Sequence, residues 1–313
     1  MDIGVFGVGG VGGYFGGKLA AAAGRTGDRV FFTARGAHLA AILDRGLTLK
    51  TKDEGVIRCR PAAASADPAD FPPLDMCLLC VKQYALEDAV RALLPVITEK
   101  TVLIPLLNGV DAYDKIRSVT DRGVVFPACV YIVTHREEPG VVEQSGGGCN
   151  IIFGPDPNRP EAGGEEVVRA FADAGIQCSW SGDAQREIWS KFMFVGPMSL
   201  VMALMDLTYG QVYDNAAAGE TVRAIIDEVW KVCRASGVDM PESEKEIAFN
   251  KARGFPYGGR TSFQLDYADP DKMDERDTFG GAVTQLGRKY GVPTPCTDAV
   301  CRQLDNKIGR KER

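Results

Sequence analysis

Near the N-terminus, Gly7-Val8-Gly9-Gly10-Val11-Gly12 spells the pattern G-x-G-x-x-G. It follows the short apolar run Ile3-Gly4-Val5-Phe6 and precedes a helix-compatible stretch reaching Ala23. In that strand-turn-helix setting the pattern has a specific chemical use, the holding of a pyrophosphate. The first glycine permits the tight turn, the second lets a phosphate approach the backbone, and the third lets helix and strand pack closely. The helix N-terminus then faces the anion. NAD-binding chains usually carry an acidic residue about 20 residues further on, to hold the ribose 2′-hydroxyl. Here the next apolar run, Arg29-Val30-Phe31-Phe32-Thr33, leads instead into Ala34-Arg35-Gly36-Ala37-His38. A cation among small residues suits a 2′-phosphate, although Arg35 can also be only a solvated loop arginine; NADPH is the expected cofactor, with Arg35 as a ligand.

Three further polar residues stand at the edges of apolar runs. Lys82 ends Leu74 to Val81, and Asn108, with Gly109, ends Thr101 to Leu107. Each can be a mere strand-end polar residue. Ligands of open parallel sheets bind at the carboxyl ends of strands, however, and a lysine and an amide there can hold a nicotinamide ribose and a carbonyl-bearing substrate. Lys191 abuts the apolar segment Phe192 to Val195. A lysine partly withdrawn from water can have its pKa drawn down from about 10.4 towards about 7 to 8 and serve as a general acid, although a lysine at the edge of a core helix can also simply snorkel. The two histidines, His38 and His135, offer little competition as proton donors. The nine cysteines are scattered. Cys77 and Cys80 fall in a run that reads as a buried strand, where residues three apart point to opposite faces, so neither a metal site nor redox chemistry is expected.

The positioning elements follow from the hydrophobic pattern. Strands alternate with helical or loop connections to about residue 180, after which long helical stretches dominate: 185–207, 216–236, 242–253, 278–290 and 298–307. The expected fold class is α/β, a Rossmann-type mostly parallel sheet domain over residues 1–181 followed by an all-helical domain over 182–313. Asp156 to Pro160 reads as a surface turn, and Gly146-Gly147-Gly148 as a strand-connecting turn. The chain has 313 residues, 25% charged and 45% hydrophobic, with a net charge of −6 and no long basic run. This composition argues against nucleic acid as the main partner. No apolar stretch reaches the roughly 18 uninterrupted residues of a membrane span, and residues 1–23 do not read as a signal peptide, so a cytoplasmic protein without a membrane partner is expected. The long apolar helices can bury their faces within one chain or against a twin in a homodimer.

Together these residues resemble the ketopantoate reductase (2-dehydropantoate 2-reductase) family. The carriers are the glycine motif, Val81-Lys82, Leu107-Asn108-Gly109, Glu187-Ile188-Trp189-Ser190-Lys191, and Thr261-Ser262-Phe263 ahead of an acidic cluster. The resemblance implies a helical domain like that of 6-phosphogluconate dehydrogenase. The implied reaction is NADPH-dependent reduction of a small 2-keto acid to a 2-hydroxy acid, on the route to pantothenate and coenzyme A. It further implies Lys191 as the catalytic acid, Asn108 as the residue that orients substrate beside the nicotinamide, and Lys82 near cofactor and substrate. Ser262 is implied as a ligand of the substrate carboxylate.

The departures from the family pattern bear on substrate. The family has asparagines four and eight residues after its lysine; this chain has Val195 and Ser199. Where the family places a glutamate for the substrate hydroxyls, counting lands on Asp274, one methylene shorter, with Glu275 beside it. The acidic stretch 269–275 reads equally well as a solvated loop. Three readings therefore stand: a ketopantoate reductase with Ser199 in the substrate site and Asp274 as a catalytic and substrate-binding carboxylate, a reductase of a more apolar 2-keto acid, and an NADP(H)-binding sensor with a degraded site.

Overall fold

The computed structural model describes residues 1–311, with side chains described through residue 307. The chain forms two compact units. One comprises Met1–Leu107 and Asp111–Ala184; the other comprises Asn108–Val110 and the chain from Gln185 on.

The first unit begins with strand β1 (Asp2–Phe6), helix α1 (Gly10–Thr26), β2 (Arg29–Thr33), α2 (Gly36–Arg45), β3 (Leu47–Thr51), β4 (Gly55–Cys59) and β5 (Ala63–Ser65). It continues with β6 (Met76–Leu79), α3 (Leu86–Leu93), β7 (Val102–Pro105), α4 (Ala112–Val119), β8 (Val124–Val125), β9 (Ala128–Glu138), β10 (Val141–Phe153), α5 (Glu165–Asp173) and β11 (Gln177–Trp180). Six strands make a wholly parallel sheet in the order β5-β2-β1-β6-β7-β8. Its central strands are continuous apolar runs because both faces are covered. Cys77 and Cys80 join different apolar clusters on the two sides of this sheet. Burial pushes the Cys77 thiol up to about 12, which keeps it an unreactive thiol at neutral pH.

The remaining strands form a second, mixed sheet, β11-β10-β3-β4, with β9 antiparallel to β10. Here the structure departs from the sequence reading. Gly146-Gly147-Gly148 lies inside β10, where the pairing with β9 shifts register; the turn of this hairpin is Pro139-Gly140. Asp156 does sit in a turn, bridged to Arg159, but its carboxylate is fully buried rather than on the surface. It accepts from Tyr113 Oη at 2.6 Å, Val125 N at 2.8 Å, Asn158 N at 2.9 Å and the Arg117 guanidinium. That set of donors satisfies a charge that would otherwise be costly to bury.

Helix α1 packs on both sheets, and its glycines allow this. A Cβ on Gly16 would stand 3.0 Å from Val5 and Phe32 of the parallel sheet, whereas one on Gly13 would stand 2.5 Å from Val142 of the mixed sheet.

Every described element of the second unit from Gln185 on is helical: α6 (Ala184–Met205), α7 (Tyr209–Asp214), α8 (Ala216–Ala235), α9 (Glu244–Lys251), α10 (Ser262–Ala268), α11 (Ala282–Tyr290) and α12 (Pro295–Lys311), with short 3-10 and π turns between them. Helix α6 is long and apolar enough to cross a membrane, but most of it is buried within the chain. It runs through a core that includes Phe263, Phe279 and Val229. The buried Glu228 carboxylate of α8 accepts from Cys296 N at 2.7 Å and Thr297 N at 2.8 Å, satisfying first-turn donors of α12. The chain is thus a Rossmann-type α/β unit followed by a helical unit.

Candidate active site

The glycine loop runs from the end of β1 into α1. Gly7 has φ +92°, which an L side chain rarely adopts, and a Cβ there would also press on the Cys80 carbonyl at 3.0 Å. Gly7 N and Val8 N both donate to the Thr33 carbonyl, at 3.2 and 3.4 Å, so the loop is tied to the end of β2 just before Arg35. A Cβ on Gly12 would collide with the Gly7 carbonyl. Around Gly9, the cap of α1, nothing stands within 4 Å of where a Cβ would be. This open backbone at the start of a 17-residue helix, with first-turn N–H groups lacking intrahelical acceptors, fits a pyrophosphate. Val8 is buried and Val11 half-buried, so these two pack while the backbone is left available. Arg35 is exposed at the N-cap of α2 and has no ion-pair partner among the described residues.

Two loops follow the central strands. Lys82 is half-buried, a few residues beyond β6, and its carbonyl accepts from Ala85 N at 2.9 Å. The neighbouring Gln83 is buried and donates through Nε2 to the Asp111 carboxylate, which fastens the loop after β6 to the one after β7. Asp111 also holds Lys115 at 2.9 Å. Neither Gln83 nor Asp111 stands out in the sequence, because nothing in local spacing tells that residues 83 and 111 meet. Within the second loop Gly109 has φ +112°, a conformation that glycine supplies, and it sets the direction of the chain just after Asn108.

In the second unit, Lys191 Nζ donates to Asn108 Oδ1 at 2.8 Å. The two residues are 83 positions apart, and Val110 packs on the same apolar core as α6. Lys191 is half-buried on α6 beside Trp189, Phe192 and Phe194, which are almost wholly buried, so the ammonium projects from an apolar helix and is oriented by an amide. Val195 and Ser199 follow at four-residue intervals, on the same side of the helix by its 3.6-residue period. Val195 is half-buried; Ser199 is fully buried, with Oγ lacking a hydrogen-bond partner.

Two other expected site residues of this unit stand on α10 and between α10 and α11, and the two histidines belong to the first unit. Ser262 is the exposed first residue of α10, next to Thr261, whose Oγ1 caps the helix by accepting from Gln264 N at 3.1 Å. Asp274 is engaged locally: its Oδ1 accepts from Arg276 N and Nε, both at 2.9 Å, and Arg276 Nη1 reaches Asp305 Oδ1 of α12 at 2.6 Å. Glu275 is almost wholly buried. His135 is exposed, 3.5 Å from Glu143. His38 is buried in the first turn of α2, with Nδ1 accepting from Gly140 N at 2.9 Å.

A phosphate-ready glycine loop together with an amide-oriented ammonium is the equipment of a nucleotide-dependent oxidoreductase. Residues 3–158 match the family described as ketopantoate reductase PanE/ApbA, and residues 183–307 match its C-terminal domain. The chain belongs to the ketopantoate reductase PanE/ApbA family of oxidoreductases. It is 28% identical over 324 aligned residues to a 2-dehydropantoate 2-reductase of Mesorhizobium japonicum, covering 96% of this chain and 95% of that one. A PanE/ApbA family ketopantoate reductase of Ralstonia eutropha is similar over the full length of both chains, with a TM-score of 0.88 and 27% identity. D-mandelate dehydrogenase, solved with NADH and anilino(oxo)acetate, shares the fold over the full length of both chains, with a TM-score of 0.85 at 20% identity.

Proposed function

We propose that the protein reduces a 2-keto acid to the 2-hydroxy acid, with 2-dehydropantoate as substrate and NADPH as reductant, within pantothenate and coenzyme A synthesis. The observation that carries the reading is the Lys191–Asn108 hydrogen bond of 2.8 Å. The nicotinamide, when bound, supplies the hydride. The chain's own task is to meet the negative charge that hydride addition builds on the keto oxygen. The Lys191 ammonium stabilises that charge and delivers the proton from Nζ, and the Asn108 carboxamide holds the ammonium in one direction. Being half-buried, Lys191 can recover its proton from solvent. Gly7, Gly9, Gly10 and Gly12 supply the backbone for the pyrophosphate, and Arg35 supplies a cation for a 2′-phosphate where an acid selective for NAD would otherwise stand. Lys82 would lie near cofactor and substrate, and Ser262 would take the substrate carboxylate.

A second reading, reduction of a more apolar 2-keto acid, is favoured by the substrate-side residues. Val195 cannot hydrogen-bond a hydroxyl, and Asp274 is already held by Arg276. D-mandelate dehydrogenase, of the same fold, is named for a substrate with an aryl side chain. A site built to pair substrate hydroxyls rejects analogues lacking them by large factors, so changes here alter substrate choice more than reaction type. NADPH consumption with 2-dehydropantoate, 2-ketoisovalerate, pyruvate and benzoylformate, at saturating cofactor, tests both readings. The first predicts the highest kcat/KM for 2-dehydropantoate. A best substrate without its hydroxyl favours the second, and silence throughout with NADPH bound favours a sensor.

A further inference from the structure

Strand β9 of the mixed sheet crosses the first turn of α1. The Oγ1 and carbonyl of Thr134 stand 2.7 and 2.8 Å from where a Cβ on Gly10 would be. From Thr134 to Arg136 the pairing with β10 is regular, opposite Gln144, Glu143 and Val142 in turn. Alternate residues of a strand share a face, so Arg136 shares that of Thr134. Its cross-strand partner Val142 packs on Gly13 of α1, which sets the same face independently. Two strand residues span about 7 Å, so Arg136 is displaced by that much from Thr134, towards the hairpin turn where Gly140 N donates to His38 of α2. The positive charge of Arg136 lies close enough to His38 to disfavour its imidazolium. Arg136 therefore stands near the first turns of both α1 and α2, the second of which is preceded by Arg35 at its N-cap. Of the neighbouring carboxylates, Glu137 accepts from Lys50 at 2.6 Å and Glu143 faces His135 at 3.5 Å, while Glu138 adds to the negative field around Lys50. Arg136 itself has no ion-pair partner among the described residues.

We propose that Arg136 is a second ligand, beside Arg35, of the adenosine 2′-phosphate of NADP(H), so that cofactor choice is shared between the parallel sheet and the hairpin of the mixed sheet. The inference rests on the NADPH reading above. The pyrophosphate is already provided for by the α1 backbone, and Arg136 is displaced from that loop towards α2, the side on which β2 ends and a 2′-phosphate would lie. Guanidinium pairs with phosphate through two parallel N–H bonds, which makes arginine the fitting side chain.

The test is a fluorescence titration of NADPH and of NADH against wild type, Arg35→Gln and Arg136→Gln. Arg136 is exposed on its strand, and an unchanged melting temperature establishes that the variant is folded. Loss of a charge-assisted bond should weaken NADPH about 10- to 100-fold in Arg136→Gln while changing NADH by less than about twofold. Equal weakening of both nucleotides would move Arg136 to the pyrophosphate and overturn the proposal. No weakening of either, in a wild type that prefers NADPH and an Arg35→Gln variant that loses that preference, would sink this inference alone. A wild type that holds NADH as tightly as NADPH would remove the cofactor reading and the role of Arg136 with it.

Discussion

Helices α1 and α6 carry the two halves of the proposed chemistry by opposite means. At the start of α1 the functional groups are backbone N–H donors, and side chains would be in the way: Gly9 is open, Gly12 admits no Cβ beside the Gly7 carbonyl, and Gly10 and Gly13 lie against the mixed sheet. In α6 the backbone is sealed among Phe192, Met193, Leu200 and other buried residues, and function falls to one ammonium, Lys191. A backbone site is specified by what residues lack, and many neighbouring side chains can change without touching it. A side-chain site depends on one identity and on the partner that aims it.

The largest expected effect lies on the α6 side of this comparison. Lys191→Ala should lower kcat about 10²- to 10⁴-fold while leaving NADPH affinity nearly unchanged, since general acid and oxyanion stabilisation are lost together. A variant that retained full kcat would mean that Lys191 is only a snorkelling lysine. On the α1 side, Gly12→Ala should instead weaken NADPH binding and lower stability by about 1 to 3 kcal/mol, the usual range for overpacking, because the new Cβ meets a backbone carbonyl that cannot swing aside. Val11→Ala, which keeps that backbone, should leave NADPH affinity within about twofold. If Val11→Ala were as damaging as Gly12→Ala, the contrast between the helices would fail.

This contrast also accounts for what could be read before folding. The glycine loop was legible because its constraint is local, one strand, one turn and one helix within two dozen residues. The long helices of the second unit were legible from their periodicity, with α6 and α8 close to their expected spans and α12 longer than expected at both ends. The β9–β10 hairpin was not. Its outer half, Thr134 to Glu138, is polar and mostly exposed, and Gly146 to Gly148 resemble a turn although the strand continues through them. Pairings that bridge long separations were equally hidden. Lys191 with Asn108 could be anticipated only through family resemblance. Gln83 with Asp111, and Asp274 with Arg276 and Asp305, became visible only once side-chain geometry was in hand.

A smaller effect probes the ground beneath the glycine loop. His38 Nδ1 accepts the Gly140 N–H, and the buried Nε2 has no hydrogen-bond partner among the described residues. Burial first, and the charge of Arg136 second, hold its pKa below the ordinary value of 6.5, outweighing the Val8 carbonyl, which favours the charged form. A histidine depressed on folding adds stability that is fully present above its unfolded pKa, near 6.5, and is lost as pH falls from there towards the folded value, because the unfolded chain binds the proton first. Urea unfolding at pH 7.5 and at pH 5.5 should show wild type losing more stability on acidification than His38→Asn, which can offer an acceptor to Gly140 but does not titrate. An identical loss in both proteins would assign the acid sensitivity to other groups.

The smallest expected effect is the one that best separates structure from function on α6. Ser199 Oγ is fully buried without a partner, and an unmade hydrogen bond in a core is unfavourable unless something completes it. Ser199→Ala removes the orphaned hydroxyl while keeping the helix backbone, so stability should stay level or rise by up to about 1 kcal/mol. If the hydroxyl is kept for a substrate, the same change should raise KM for a hydroxylated 2-keto acid such as 2-dehydropantoate by about 3- to 10-fold, and leave KM for 2-ketoisovalerate unchanged. A gain in stability with equal KM values would make Ser199 a packing residue and shift weight to the apolar-substrate reading. A loss in stability would mean that the hydroxyl finds a partner within the folded chain, and that polarity on this face of α6 serves the core before it serves a ligand.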